Sequence, residues 1–202
     1  SVDVQSLDID FLSFSIHKMC GPSGMGGLWG KYEHLDGLRT IQSGGQTVTA
    51  STYKEASWAK PPARFEGGLG NFSGMMATGA AIDYLSKIEM DQVKEHEIRL
   101  NRIMTKGVKD LPGLKIIGPE DPAKRGGICS IIMDKLPAHD VAILLDEAAG
   151  VMVRSGQHCV HSWFEHHGHK QGSLRASAYF YNTEEEVKRF VDTLTEIVHT
   201  LG

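Results

Sequence analysis

Three side chains carry reactive groups in settings that could use them. Lys18 lies in Ser15-Ile16-His17-Lys18-Met19-Cys20-Gly21-Pro22-Ser23-Gly24, after the apolar run Phe11-Leu12-Ser13-Phe14 and ahead of Met25-Gly26-Gly27-Leu28-Trp29-Gly30. An amine of lowered pKa at a strand end, beside small polar residues, is placed for covalent chemistry with a carbonyl. Taken alone, the position favours a solvated lysine at a turn, as most lysines are. Cys159 closes the turn Arg154-Ser155-Gly156-Gln157-His158 and opens a His-rich segment. A thiol attacks only as thiolate, a form that a neighbouring Arg or protonated His favours. The alternative is a buried structural thiol, which is the reading of Cys129 inside its apolar strand; Cys20 has no assigned role. Arg175 falls in a strand, where its guanidinium fork can take a carboxylate bidentately or serve in a surface salt bridge. Ser15 and His17, beside Lys18, read by chemistry alone as hydrogen bonders of a turn. His158, His161, His166, His167 and His169 with Cys159 have the ligand types of a zinc site. Their spacing fits no standard zinc module, and adventitious metal binding is the favoured reading of them.

These groups need elements to hold them. A loop too rich in Gly and Pro to be helical, between two short strands, must present Lys18. A short helix is expected over 32–38. The polar, Gly/Ser/Thr-rich segment 39–64 has no sustained period and reads as a long loop, functional or poorly ordered. Met75, Met76, Ala80, Ala81, Tyr84 and Leu85 predict an amphipathic helix over 71–88, capped by Asn71 or Ser73, with the Met pair as core filler. A second helix is expected over 91–111, with Val93, Ile98, Leu100, Ile103, Met104 and Val108 inward and Pro112-Gly113 as its stop. Lys94, Glu95, Glu97, Arg99 and Lys106 read as its solvated face. Beyond it, strands are expected over 114–117, 128–133, 151–154 and 174–178. A helix over 138–149 ends at Gly150, and a last one runs from Thr183 to about 201. Thr183-Glu184-Glu185-Glu186 is a capping box. The order β-β-α-β-loop-β-α describes an α+β unit with its own core.

The 202 residues, 41% of them apolar, can bury a core in one domain or two small ones. A net charge of −4 gives no electrostatic reason to expect nucleic acid or an anionic membrane as partner. No apolar run approaches the roughly 20 residues of a bilayer span, and no signal peptide is apparent. Three widely spaced cysteines argue against a disulfide framework and for a reducing, cytoplasmic setting.

Ser15-Ile16-His17-Lys18 with Gly21-Pro22-Ser23-Gly24 resembles the Ser-Gly-His-Lys…Gly-Pro-Thr-Gly element of fold-type I pyridoxal phosphate (PLP) enzymes. The resemblance is to cysteine desulfurases and selenocysteine lyases of the class V aminotransferase superfamily. Three more elements agree in order and spacing: Arg64-Phe65-Glu66-Gly67-Gly68, Arg154 to Cys159, and Leu174-Arg175-Ala176-Ser177 with Tyr181-Asn182-Thr183-Glu184-Glu185-Glu186. The short cysteine loop before Arg175 resembles the SUF-type and selenocysteine-lyase group.

The resemblance implies an α/β fold and the C-terminal half of a longer enzyme. Residues 1–90 would be the remnant of the PLP-binding large domain, and 91–202 a small α+β C-terminal domain. It implies PLP held covalently on Lys18, with His17 and Ser15 at its phosphate. Cys159 would take sulfur or selenium from L-cysteine or L-selenocysteine as a persulfide and leave alanine. Arg175 would hold the substrate carboxylate, with Arg154 near the cysteine loop. A homodimer and a sulfur-acceptor protein are the partners it implies. Two departures bear on the phosphate site: Leu69 stands where the family usually has Thr, and Ile16 replaces the common Gly before His17. The family's ring-stacking His and ring-pairing Asp have no counterpart here, so the chain alone is expected to turn over little or nothing. Alternatives are a class V aminotransferase or lyase without a persulfide step, and a non-catalytic remnant acting as a binding or zinc-holding module.

Overall fold

Strand β1 (Phe11–Ser15) pairs antiparallel with β2 (Gly26–Gly30), Phe14 opposite Gly27 and Ser15 opposite Gly26. A Cβ on Gly27 would lie 2.5 Å from the Phe14 ring, which rests over this glycine. The computed structural model describes residues 2–202, in two compact units, the first ending at Met90 and the second starting at Asp91. The β1–β2 hairpin belongs to the first, as does the short helix α1 (Tyr32–Gly37) that follows it.

The segment expected as a long loop contains a second hairpin, β3 (Val48–Ser51) with β4 (Ala56–Trp58). Its turn is closed by Thr52, whose hydroxyl accepts from the Lys54 and Glu55 amides. Both strands are largely exposed on both faces, so no apolar alternation betrays them. Arg64 ties this stretch down, donating to the carbonyls of Ala59, Asp36 and Leu38 and to the Asp36 carboxylate.

Helix α2 (Phe72–Ile88) is N-capped by Asn71, which accepts from the Gly74 amide. Its buried face is the narrow one of Gly74, Ala81 and Leu85, while Met75 and Met76 are 47% and 78% exposed. The Met pair is therefore not core filler within this unit. Small residues let α2 approach closely instead: a Cβ on Gly74 would meet the Met25 sulfur at 2.5 Å.

The second unit is a four-stranded antiparallel sheet in the order β5-β6-β8-β7, made of β5 (Leu114–Ile117), β6 (Ile128–Met133), β7 (Arg154–Gly156) and β8 (Ser173–Ser177). Helices α3 (Met90–Val108), α4 (Ala138–Ala149) and α6 (Glu184–Leu201) contribute Leu100, Met104, Leu145, Phe190 and Leu194 to one apolar core with Ile131 and Leu174 of the sheet. The capping box on α6 is present in full, Thr183 accepting from the Glu186 amide and Glu186 from the Thr183 amide. Gly150, at φ +63°, ends α4.

Two expectations need correction here. The strand expected over 151–154 begins only at Arg154. Val151 and Val153 pack on the core, which gives them a strand's apolar alternation without a ladder partner. The expected loop after Cys159 holds a short helix α5 (His161–His166), pinned by Phe164 at 3% exposure. Its run of histidines hides the period. No helix among the described residues is long and apolar enough to cross a membrane.

Candidate active site

In the first unit, β1 delivers the chain into one turn of 3-10 helix (Ile16–Met19) that carries His17 and Lys18, closed by Cys20 in the left-handed conformation. Ile16 is 3% exposed and is the apolar peg of this turn. Its amide donates to the Met25 carbonyl, and its own carbonyl accepts from Gly21. Gly21 is required by this close approach, since a Cβ there would sit 2.3 Å from the Ile16 Cγ2. The isoleucine that departs from the family pattern therefore has a packing reason of its own. With Ile16 turned inward, His17 and Lys18 are exposed and Ser15 is half-buried.

No side chain among the described residues pairs with the Lys18 amine, so nothing competes with a carbonyl for it. A free amine on a rigidly pegged turn, flanked by an imidazole and a hydroxyl, fits the donor set that PLP requires: a Schiff-base nitrogen with hydrogen-bonding groups beside it. Leu69, the second departure, is 86% exposed and offers no side-chain hydrogen bond.

In the second unit, β7 and β8 place Arg154 directly across from Arg175. The chain leaves β7 through Gly156, at φ +113°, into a turn where His158 (φ +48°) and Cys159 (φ +64°) are both left-handed. Two consecutive non-glycine residues in that region are uncommon and cost on the order of 1 kcal/mol or more each. A hydrogen bond holds the turn in place: His158 Nε2 lies 2.9 Å from the Ser173 hydroxyl and 3.2 Å from the Ser173 carbonyl. Ser173 is fully buried. A second tie runs from the Gln157 side chain to the Lys170 carbonyl at 2.7 Å. The turn and β8 also touch backbone to backbone, because a Cβ on Gly172 would fall 2.3 Å from the Gly156 carbonyl. The outcome is a thiol, Cys159, exposed on a turn anchored two residues before Arg175.

The electrostatics follow from this packing. Burial, then the charge of Arg175, hold His158 below the usual imidazole range against an upward pull from the Ser173 carbonyl, with Arg154 adding the smallest push downward. With Nε2–H donating to Ser173, His158 Nδ1 is left as a buried acceptor with no partner. Arg175 Nε is likewise a buried donor without a partner. Cys129 is fully buried and burial pushes its thiol up, with Arg125 pulling down by less, which makes it the inert cysteine of its apolar strand. Cys20 is exposed on the Lys18 turn.

The predicted site residues thus fall into two groups, Ser15, His17 and Lys18 in the first unit and Arg154, Cys159 and Arg175 in the second. Sequence reading missed the residues that hold the second group, His158 as an anchor, Ser173 and Gly172. A Gly-Ser pair ahead of Leu174-Arg175 was the only trace of them. Among the described residues no three His, Cys, Asp or Glu side chains converge as a metal site, so the zinc-holding alternative loses its support.

The structure is mixed α/β, with an amine-bearing turn in one unit and, in the other, a thiol-bearing turn leaving a strand pair that carries two arginines. The family model "Aminotransferase class-V" matches residues 1–190, and the chain belongs to that family. It is 37% identical over 201 residues to a probable cysteine desulfurase of Streptomyces coelicolor, covering 100% of this chain and 48% of that protein. It is 38% identical to a cysteine desulfurase of Haloferax volcanii, covering 96% of this chain and 45% of that protein. The apo structure of a cysteine desulfurase from Thermococcus onnurineus NA1 superposes with a TM-score of 0.91 at 34% identity, over 98% of this chain and 49% of that one. The chain therefore spans about half the length of the curated relatives it matches.

Proposed function

We propose that this chain is part of a PLP-dependent cysteine desulfurase or selenocysteine lyase, in which residues 1–90 are the C-terminal remnant of the cofactor-binding large domain and 91–202 the small α+β C-terminal domain. The observation that carries the reading is the Cys159 turn: two strained residues, pinned by His158 to Ser173, hold an exposed thiol on the turn that leaves the strand pair bearing Arg154 and Arg175. A structural cysteine has no use for that arrangement; a nucleophile does.

Bound PLP would supply an aldehyde for the amine of Lys18 and an electron sink for a substrate carbon. Lys18 Nζ is the group that would hold it and that afterwards accepts and returns the Cα proton of the substrate. His17 and Ser15 would donate hydrogen bonds to its phosphate. Arg175 would take the α-carboxylate of L-cysteine or L-selenocysteine, and Arg154 adds positive charge across the strand pair. The Cys159 thiolate attacks the substrate sulfur or selenium. A bond forms between the two chalcogen atoms as the bond to Cβ breaks; the electron pair stays with carbon, which takes a proton and becomes the methyl group of alanine. Cys159 is left as a persulfide, or its selenium counterpart, for an acceptor protein. We place this chemistry in a reducing cytoplasmic compartment and in a homodimer.

For the 202 residues alone we expect little or no turnover. Lys18 and Cys159 both stand in solvent, and stabilising developing charge requires a preorganised site that excludes water. The test uses the full-length protein that carries this segment, loaded with PLP and given L-cysteine. Alanine release and sulfane sulfur on Cys159 are expected, both lost in Cys159→Ser, while Lys18→Ala removes the visible absorption of bound cofactor. Undiminished alanine release from Cys159→Ser would replace the persulfide step with a lyase reaction, and retention of the absorption band in Lys18→Ala would remove the lysine from its role.

A further inference from the structure

A cleft of about 620 Å³ in the second unit shares no residue with the Arg154, Cys159 and Arg175 group. It lies along the C-terminal half of α3, strand β5 and the turn that follows, down to Arg125. Five cations line it, Arg102, Lys106, Lys109, Lys115 and Arg125, against two carboxylates, Asp110 and Glu120. The local balance is thus opposite in sign to the chain's net charge of −4. A solvated helix face usually interleaves its signs. Here Arg102 and Lys106 are four apart on one face of α3, which disfavours the helix by a few tenths of a kcal/mol, and Lys109 follows three further on, just past the helix end. The one ion pair within this set is Lys109 with Asp110 at 3.9 Å, both exposed and of little energetic weight. Among the described residues Arg102, Lys106 and Lys115 have no acidic partner.

Arg125 adds an independent observation. Its Nη2 donates to the Thr105 hydroxyl, while the buried part of its guanidinium lies against the Cys129 thiol. An arginine keeps its charge under all ordinary conditions, so it adds a fixed positive charge to the lining of the cleft. Gly118, at φ +103°, turns the chain beside the Arg125 side chain.

We propose that this cleft binds a compact oligophosphate, a short chain of linked phosphate groups free or as part of a nucleotide. The span from position 102 to position 109 is about 10 Å at the rise of an α-helix, longer than one phosphate or carboxylate and suited to two or three in line. Arg forks and Lys ammonium groups are the usual donors to such oxygens. The site stands whether or not the desulfurase reading does, because it uses none of those residues.

The experiment is titration of the folded chain with sodium tripolyphosphate by calorimetry, at low and at physiological salt. Saturable binding with one site per chain is expected, weaker at the higher salt, and not displaced by sulfate at matched ionic strength. The variant Arg102→Glu/Lys106→Glu/Lys115→Glu changes only exposed side chains, and circular dichroism and a melting curve check that it folds. It should weaken binding at least about tenfold, a loss of about 1.4 kcal/mol. Absence of saturable binding, or binding unchanged in the triple variant, overturns the proposal. So does saturable binding of an acidic peptide or RNA by a chain that ignores tripolyphosphate.

Discussion

The two units of this protein solve the problem of holding a reactive group in opposite ways. In the second, Leu100, Leu145, Leu174 and Leu194 are fully buried in one core that spans three helices and a sheet, and the Cys159 turn hangs from a buried serine of that sheet. In the first, the Lys18 turn rests on a single peg, Ile16, against the narrow face of α2, while Leu69, Phe72 and Met76 are 60% exposed or more. A large buried area tolerates strain, so two left-handed residues can persist beside Arg175. In the first unit left-handed residues stand singly, as Cys20 does at φ +61° where it closes the Lys18 turn, and the close approaches are made by glycines, at Gly21, Gly27 and Gly74. The comparison teaches that the thiol is placed by its own unit, whereas the amine is placed by a local fold with little apolar reserve.

The strongest way to break that contrast is to remove core from the better-packed unit. Leu194→Ala should cost about 3 kcal/mol, within the usual range for a fully buried leucine. Trp163 reports on the second unit and Trp29 and Trp58 on the first, so variants retaining one reporter each can follow the two in urea. Leu194→Ala is expected to lower the midpoint seen by Trp163 and to leave that seen by Trp29 largely in place. Equal shifts at both reporters would mean that the units unfold as one, and the contrast would lose its energetic content.

How much of this was legible in the sequence differs between the units for the same reason. Where elements bury one face, apolar period reveals them: α4, α6 with its capping box, β5 and β6 stand within a residue or so of where the pattern puts them. Where elements are exposed on both faces, as in β3 and β4, there is no period to read, and a hairpin passes for a loop. The reactive residues were legible through resemblance, not through pattern. The groups that hold them were not: His158 sat among histidines that looked like metal ligands, and the Ser173 tie links positions 15 residues apart through a bond that local sequence does not encode. Arg64 was visible as part of a motif, yet its work of binding three carbonyls and Asp36 is purely tertiary.

A narrower cut tests whether the backbone approach behind Cys159 matters. Gly172→Ala would add a methyl group 2.3 Å from the Gly156 carbonyl oxygen at φ +79°, where only glycine is at ease. About 2 kcal/mol is the expected loss, combining overpacking with left-handed strain. Gly168→Ala, at φ +74° with open space around its Cβ, supplies the control and should cost about 1 kcal/mol from conformation alone. Melting curves that rank the two the other way would show that the contact between turn and strand is not tight.

The mildest perturbation is pH, and it sharpens the contrast at the level of one hydrogen bond. His158 is held below the ordinary imidazole value by burial and then by Arg175 and Arg154, while in an unfolded chain it would titrate near about 6.5. Between those two values the unfolded chain binds more protons than the folded one, so stability rises with pH through that window. The contribution of His158 is complete above the unfolded value and is lost as pH falls toward and through the folded one. The cause is geometric, because a proton on Nδ1 would be a buried donor with no acceptor. The Val160 amide, which closes the turn on the Gln157 carbonyl at 2.9 Å, should therefore lose exchange protection below about pH 6.5, after correction for intrinsic exchange. His158→Asn should remove that dependence. The Gly21 amide, bonded to the Ile16 carbonyl at 3.1 Å in the other unit, should show no such change. A parallel loss at Gly21 would assign the effect to acid loosening of the chain at large and not to the imidazole that anchors Cys159.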